Sequence, residues 1–534
     1  LNAVCSLCVR PLATDARTFR SIKMHTTLRK QRNVLTYCVS GKFGVKFNKR
    51  YGAAVNNDAL LSFEEIPGPK SYPLIGTLYK YLPVLGDYNA EAMDKNAWLN
   101  WRRYGPLVRE EPMVRLLHVF DPDVIEAVFR LDDRQPARRS HLAMQQYRLS
   151  KPHVYKTGGL LSTNGPEWWR LRSTFQKNFT SPQSMREHVE DTSDVVKDFI
   201  QWIKESKVSE NDDFLYHLSR LNLEVIGMVA FNERFGSFLP SEQDVNSRSS
   251  RIIASAFGSN SGIMKLDKGI FWRFFKTPLY RRLAVSQDYL EQTSREILMK
   301  RVNYFKQDNQ NSKDKSLLAS FIKQDNLDLK DILGMMVDIS MAAIDTTAYS
   351  TSFALYHIAN NPHCQKKLYE EVQNLLPTKN STLTPDIISK ATYARSCIKE
   401  SLRLNPVAIG VGRLLQKDIV LSGYLIPKGT VIVTQNMVAC RLPQNVRDPL
   451  KFKPERWLRD SPDHENLHPF LSLPFGFGPR SCIARRLAEQ NMCITLLLMI
   501  QEFDIKWMGK ELGIRTHLIN KPDQPLTFAL TPRT

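Results

Sequence analysis

The run Phe475-Gly476-Phe477-Gly478-Pro479-Arg480-Ser481-Cys482-Ile483-Ala484-Arg485-Arg486 places one cysteine between a glycine-rich turn and the start of an apolar, helix-patterned segment. A thiolate there lies near helix N-terminal N–H groups, whose partial positive charge favours ionised sulfur. The glycines let backbone approach a flat ligand closely. Arg480, two residues before the cysteine, is placed to meet an anionic group. These are the requirements for holding haem iron through sulfur, a ligation that favours O–O bond cleavage. A lone cysteine in a loop is more often a small buried hydrophobe, so the rest of the chain must supply the remaining parts.

It offers several. Ala342-Ala343-Ile344-Asp345-Thr346-Thr347 puts an acid beside an alcohol in the middle of a helical pattern. Both compete with the helix backbone for hydrogen bonds and can hold water. An acid–alcohol pair facing a dry pocket suits delivery of protons to bound oxygen. Glu400-Ser401-Leu402-Arg403 sets opposite charges three apart on one helix face, an arrangement worth under about 1 kcal/mol if exposed. Phe452-Lys453-Pro454-Glu455-Arg456-Trp457 follows about fifty residues on. Trp168 and Arg172 stand one helical turn apart, and Arg413 lies ten residues beyond Arg403.

Three segments must position these groups. Asp331 to Ala359 is the longest helical pattern, apolar nearly all round from Met335 onward, as a buried central helix requires. Asp338 and Asp345 within it argue against a membrane span. Ile483 to Ile505 carries a second strong helix pattern. Ile419 to Val433 alternates apolar residues around Gly423 and Pro427-Lys428-Gly429, a hairpin signal. Asp308 to Ser316 reads as a polar loop between helices. The expected fold is mainly α with small β-sheets, built as a single domain over residues 66–534. It opens on the rigid, extended Ile66-Pro67-Gly68-Pro69.

The formal charge of +20 is uneven: residues 1–50 hold eleven lysines and arginines against the single Asp15, half of the total. An Arg-rich, acid-poor N-terminus with serine and threonine reads as a mitochondrial transit segment, followed by a linker over 51–65. No nucleic-acid motif follows it, so the basic balance requires no nucleic-acid partner. No stretch of about 20 apolar residues lies near the N-terminus, so no anchor is read there. Of eight cysteines, Cys5-x-x-Cys8 resembles half a zinc or redox motif. No matching pair follows, and the scatter does not make a disulfide framework.

Taken together in this order, the F-x-x-G-x-R-x-C loop, the Ala-x-x-Asp-Thr helix, E-x-x-R, P-E-R-W and W-x-x-x-R resemble the cytochrome P-450 family, the haem-thiolate monooxygenases. The resemblance implies haem b with Cys482 as the iron ligand and Phe475 within its loop. It implies Trp168, Arg172, Arg413 and Arg480 at the haem propionates, Thr346 with Asp345 as the catalytic pair, and Glu400, Arg403 and Arg456 as a structural ionic triad. Ala343 stands where glycine is usual, and its methyl narrows the space beside the haem.

Arg395 and Lys399 share a helix face, and Arg485 and Arg486 follow the cysteine. Both pairs resemble the positions where mitochondrial members grip an acidic ferredoxin, which relays NADPH electrons from a ferredoxin reductase. The segments Gln135 to His141, Tyr155 to Leu161, Asn164 to Trp169, Gln435 to Arg441 and Leu518 to Pro522 are similar to one arthropod mitochondrial branch, the ecdysteroid 22-hydroxylases. That likeness implies hydroxylation of a steroid side chain at carbon 22, with another steroid position or a xenobiotic as the alternative. It also implies a monomer on the matrix side of the inner membrane, with room for peripheral membrane contact. Candidate pocket residues lie in His141 to Leu161, Ser340 to Ala343, Val407 to Val411 and Leu518 to Asn520. An apolar pocket with few polar anchors does not by itself encode a carbon position.

Overall fold

The longest helix, Leu329–Ala359, runs through the middle of the core, and nearly every residue from Asp331 to Leu355 is buried. The computed structural model describes residues 60–82, 84–206, 212–269, 271–307, 314–517 and 519–533. The transit-like segment, most of the expected linker, Cys5, Cys8, Cys38, Leu518 and most of the 308–316 loop lie outside them. Asp328 caps the central helix by accepting the Asp331 N–H at 2.8 Å. By length and composition this helix could cross a membrane, yet its apolar girth is spent on its neighbours. The roof helix Arg248–Asp267, the helix Pro278–Gln307 and the helix Phe214–Ile226 pack along it, as do the E-x-x-R helix Thr392–Leu404 and the helix Arg485–Glu502.

Ten short strands lie among the described residues. They are β1 (Leu107–Glu110), β2 (Leu116–Val119), β3 (Gly412–Leu414), β4 (Ile419–Leu421), β5 (Tyr424–Ile426), β6 (Val431–Thr434), β7 (Phe503–Trp507), β8 (Ile514–Thr516), β9 (Asn520–Pro522) and β10 (Phe528–Pro532). One sheet has the order β1-β2-β6-β3, with β2 and β6 parallel and the other pairs antiparallel. The hairpin expected at 419–433 forms as β4–β5, where Ser422 and Gly423 take φ of +52° and +85°. The chain then leaves for the larger sheet as β6. The fold is mainly α with small sheets, as expected.

Beyond the central helix, which begins at Leu329 rather than Asp331, the structure departs from the sequence reading at two element boundaries. The Ile483–Ile505 pattern begins its helix at Arg485 and gives it up at Glu502. Beyond it Phe503, Ile505 and Trp507 alternate with Asp504 and Lys506 and pair with β10, while Gln365 bonds both the N–H and the C=O of Ile505 at 2.8 Å. At the other end, residues 61–65 already dock on the body: Leu61 bridges Tyr424 and Phe63 is buried.

Candidate active site

Five free cysteines lie among the described residues, and four are shut in the core. Burial pushes Cys364 up to about 11, Cys440 and Cys493 up to about 12, and Cys397 well above its ordinary value. Each is a neutral thiol. His363, Cys364 and Glu455 bring donor atoms within 4.8 Å of one another, but Lys367 at 2.7 Å and Tyr393 at 2.9 Å already hold the Glu455 carboxylate. Cys482 is the exception, exposing side-chain surface although it lies deep in the fold. Burial raises its thiol as well, while the Ala484 N–H and the Arg172 guanidinium act in the opposite sense. A metal cation at the sulfur would complete the ionisation.

The loop presenting this sulfur is shaped by two left-handed glycines, Gly476 and Gly478, at φ of +71° and +70°. The Cys482 N–H donates to the Phe475 carbonyl at 2.8 Å. The helix begins three residues later, so the sulfur lies at its N-terminal end. A Cβ on Gly476 would lie 3.8 Å from a methyl of Val411, which places the loop against the Val407–Val411 segment. Phe475 is half-buried, with the Arg485 guanidinium 5.5 Å from its ring centre.

Four guanidinium groups converge beside it. Arg480 lies over buried Trp168, its guanidinium carbon 3.9 Å from the ring centre. Its Nε donates to the Pro136 carbonyl at 2.9 Å, and its Nη2 to the Thr163 carbonyl at 2.7 Å and to Asn164 Oδ1 at 2.6 Å. Its Nη1 is buried with no acceptor among the described residues. Arg172 Nη1 donates to the carbonyl of Ser481 at 2.7 Å. Arg413, carried by β3, spends Nε on Asp132 at 2.7 Å, Nη1 on the Gly412 carbonyl and Nη2 on the Phe477 carbonyl. Arg138, which the sequence analysis did not single out, is brought beside β3 by the Ala137–Leu414 bridge and donates to the Leu161 carbonyl at 3.0 Å.

Burial lowers Arg480 to about 8, with Arg138, Arg413 and Arg172 adding to the effect, and lowers Arg138 to about 10. A flat group carrying two carboxylates would relieve this repulsion, and a haem carries that charge on its propionates. The unpartnered Nη1 of Arg480, the exposed sulfur of Cys482 and the two glycine turns all fit such a group.

The central helix opens at one turn only. Between Asp331 and Leu355, Ala342, Ala343 and Thr346 alone are half-buried, at positions that share a face. Thr346 Oγ1 donates to the Ala342 carbonyl at 2.6 Å. Asp345 turns to the roof helix, where Asn260 Nδ2 donates to its Oδ2 at 2.7 Å and to the Met341 carbonyl at 3.1 Å. Asp345 Oδ1 is buried with no donor among the described residues. Burial drives this carboxyl up to about 7, against the Asn260 bond and backbone donors. An acid that exchanges its proton near neutrality thus adjoins a half-exposed alcohol.

Of the other candidate pocket residues, Ser340 is buried and Ala408 to Val411 are half-buried. Asn520 is tied to the Val407 segment through the Pro406 and Val407 carbonyls at 2.9 and 2.8 Å. His141, at φ +61°, donates its N–H to Asp267. Burial, then Arg138 and Arg148, hold its imidazole at about 3, so it is neutral.

Glu400 binds Arg403 through both oxygens, at 2.8 and 2.9 Å, and Arg456 Nε at 2.8 Å, with all three side chains fully buried. Arg395 and Lys399 are exposed on one face, and Arg485 and Arg486 are exposed on the cysteine helix. One arginine from each pair, Arg395 and Arg486, lines a single open groove of about 250 Å³ together with Met185, Ile388, Glu489 and Cys493.

The chain is similar to several known proteins. Residues 66–526 match the family model described as Cytochrome P-450. The chain is 45% identical over 478 residues to cytochrome P-450 302a1, mitochondrial, of Drosophila melanogaster, covering 88% of this chain and 96% of that one. It is 29% identical to the 1,25-dihydroxyvitamin D(3) 24-hydroxylase, mitochondrial, of Rattus norvegicus, over 88% of this chain and 89% of that one. It is also 29% identical to the ecdysone 20-monooxygenase of Drosophila melanogaster, over 88% of each. By the family model over residues 66–526 and by its identity with the mitochondrial relative, the chain belongs to the cytochrome P-450 family of haem-thiolate monooxygenases.

Proposed function

We propose that this chain is a mitochondrial steroid monooxygenase that hydroxylates an ecdysteroid precursor at carbon 22. The observation that carries the reading is the 45% identity with the mitochondrial relative, sustained over nearly the whole of both chains. It joins the branch-specific spellings around Gln135 to Trp169 and Gln435 to Arg441. The similarity to an ecdysone 20-monooxygenase and to a 1,25-dihydroxyvitamin D(3) 24-hydroxylase favours a sterol-derived substrate.

When bound, haem iron ligated through sulfur supplies dioxygen activation and insertion of one oxygen atom into a C–H bond. The chain's own residues do the rest. Cys482 provides the thiolate and Phe475 shapes its loop. Arg172, Arg480 and Arg413, with Trp168 beneath Arg480, would meet the propionates, and Arg138 would join them. Thr346 holds a proton donor at the open turn, and Asp345 resupplies it. Apolar flanks at Ala342, Ala343 and Ala408 to Val411 exclude water from the substrate side. An acidic ferredoxin docks at the groove lined by Arg395 and Arg486, with Lys399 and Arg485 beside it. Charge pairing of this kind steers encounter.

The exposed Leu82, Val84 and Leu85 lie in a segment that Lys268 joins, through the Ala90 carbonyl at 3.1 Å, to the exposed Phe271, Phe274 and Phe275. These apolar side chains are the proposed peripheral contact with the inner membrane on its matrix side. The reading is tested by incubating enzyme, ferredoxin, ferredoxin reductase and NADPH with a 22-deoxy ecdysteroid and mapping the product. A 22-hydroxy product supports it. Oxidation at another carbon, or of xenobiotics alone, replaces it with the alternative.

A further inference from the structure

Arg148, at the end of the helix Leu142–Leu149, and Asp338, on the central helix, form a salt bridge of 2.8 Å with almost no exposure of either side chain. The carboxylate is used twice: Oδ1 faces Arg148, and Oδ2 accepts the Leu160 N–H at 2.9 Å. Arg148 Nη1 also donates to the Gly158 carbonyl at 3.2 Å. The Tyr155–Leu161 loop is cut to clear the pair. Gly159 takes φ +87°, and a Cβ on it would come 2.0 Å from Arg148 Nη1 and 2.9 Å from Asp338 Oδ2.

Position gives this pair its meaning. Asp338, Ala342 and Thr346 follow at four-residue steps and share one face of the central helix. Asp338 is two turns, roughly 12 Å, from the threonine. The loop that Asp338 grips continues through Leu161, whose carbonyl meets Arg138, and Thr163, whose carbonyl meets Arg480. The C-terminal end of the loop is therefore tied at Leu160 to the ridge that carries Thr346 and, from Leu161 onward, to the arginines beside Cys482.

We infer that Arg148 and Asp338 are positioning residues that set the height of the Tyr155–Leu161 loop over the open turn, and so the pose of the substrate. This rests on the proposed substrate reading only for the choice of probe. The test compares the parent enzyme with R148M/D338N, which removes both charges together, and with G159A, whose methyl pushes the loop away from the pair while leaving both charges in place. Binding of a 22-deoxy ecdysteroid is titrated by the haem spin shift, and products are mapped.

Both variants are expected to weaken binding about tenfold or more and to broaden the product distribution, since a misplacement of about 1 Å can cost on the order of 100-fold in a positioned reaction. The reduced-CO spectrum stays that of the thiolate haem. R148K, which keeps a cation for Asp338, is expected to recover most of the affinity. Parental affinity with a single product in R148M/D338N would overturn the inference. If that variant fails to take up haem, the same result in G159A overturns it. A parent enzyme that does not oxidise the 22-deoxy probe counts against the substrate reading alone, and the comparison is then made on a steroid it does oxidise.

Discussion

Asn260 donates its amide to Asp345 at 2.7 Å and so ties the roof helix to the acid of the half-exposed turn, leaving Asp345 Oδ1 buried and free of donors among the described residues. Burial raises this carboxyl to about 7, so it is neutral below that pH and a carboxylate above it. Turnover that draws a proton from Asp345 is expected to fall as pH rises through about 7. A pH profile of product formation checks this. D345N, which cannot donate an acid proton, should lower the plateau and lack that limb.

Thr346 is the half-exposed alcohol at the same turn, bent back on the Ala342 carbonyl. T346A should keep substrate binding and still consume oxygen while losing product about tenfold or more, within the range that a positioned proton donor contributes. Product formed per NADPH oxidised is the measurement. Unchanged coupling would point to a haem protein that needs no proton relay.

Around Glu400, burial acts to raise the carboxyl, and the bonds from Arg403 and Arg456 more than reverse it. A carboxylate held below its ordinary value of 4.5 contributes stability at neutral pH that is lost as pH falls below that value. R456M leaves the buried carboxylates of Glu400 and Glu465 short of a partner, at a cost of about 3–5 kcal/mol. Denaturant unfolding and haem content should both report the loss.

The groove that holds Arg395 and Arg486 predicts a docking effect separate from the chemistry. R395E/R486E should raise KM for ferredoxin about tenfold or more and flatten its dependence on salt. Substrate titration and the reduced-CO spectrum should not change.

Local sequence carried much of this. The central helix was expected from Asp331 and begins at Leu329, and the thiol loop, the hairpin around Gly423 and the partners of Glu400 were read from spacing and resemblance. Contacts made between distant segments were not legible. Asp338 was visible as a charge in an apolar helix, but its partner Arg148 lies 190 residues away. Arg138 joins the cation cluster only because Ala137 pairs with Leu414 across the fold. Asn260 carries no local signal, since an asparagine midway along an amphipathic helix is ordinarily a surface residue. The Phe503 strand was hidden by an apolar run that continues the helix pattern, and its partner, β10, supplies the alternative hydrogen bonds.

The central claim is that Cys482, alone among the cysteines, binds haem iron as a thiolate. Purified enzyme is reduced, exposed to CO and compared with C482S, with C364S as the control. The thiolate-type red-shifted absorption band is expected in the parent and in C364S, and its loss in C482S. Persistence of the band in C482S, or its absence from the parent, would contradict the claim.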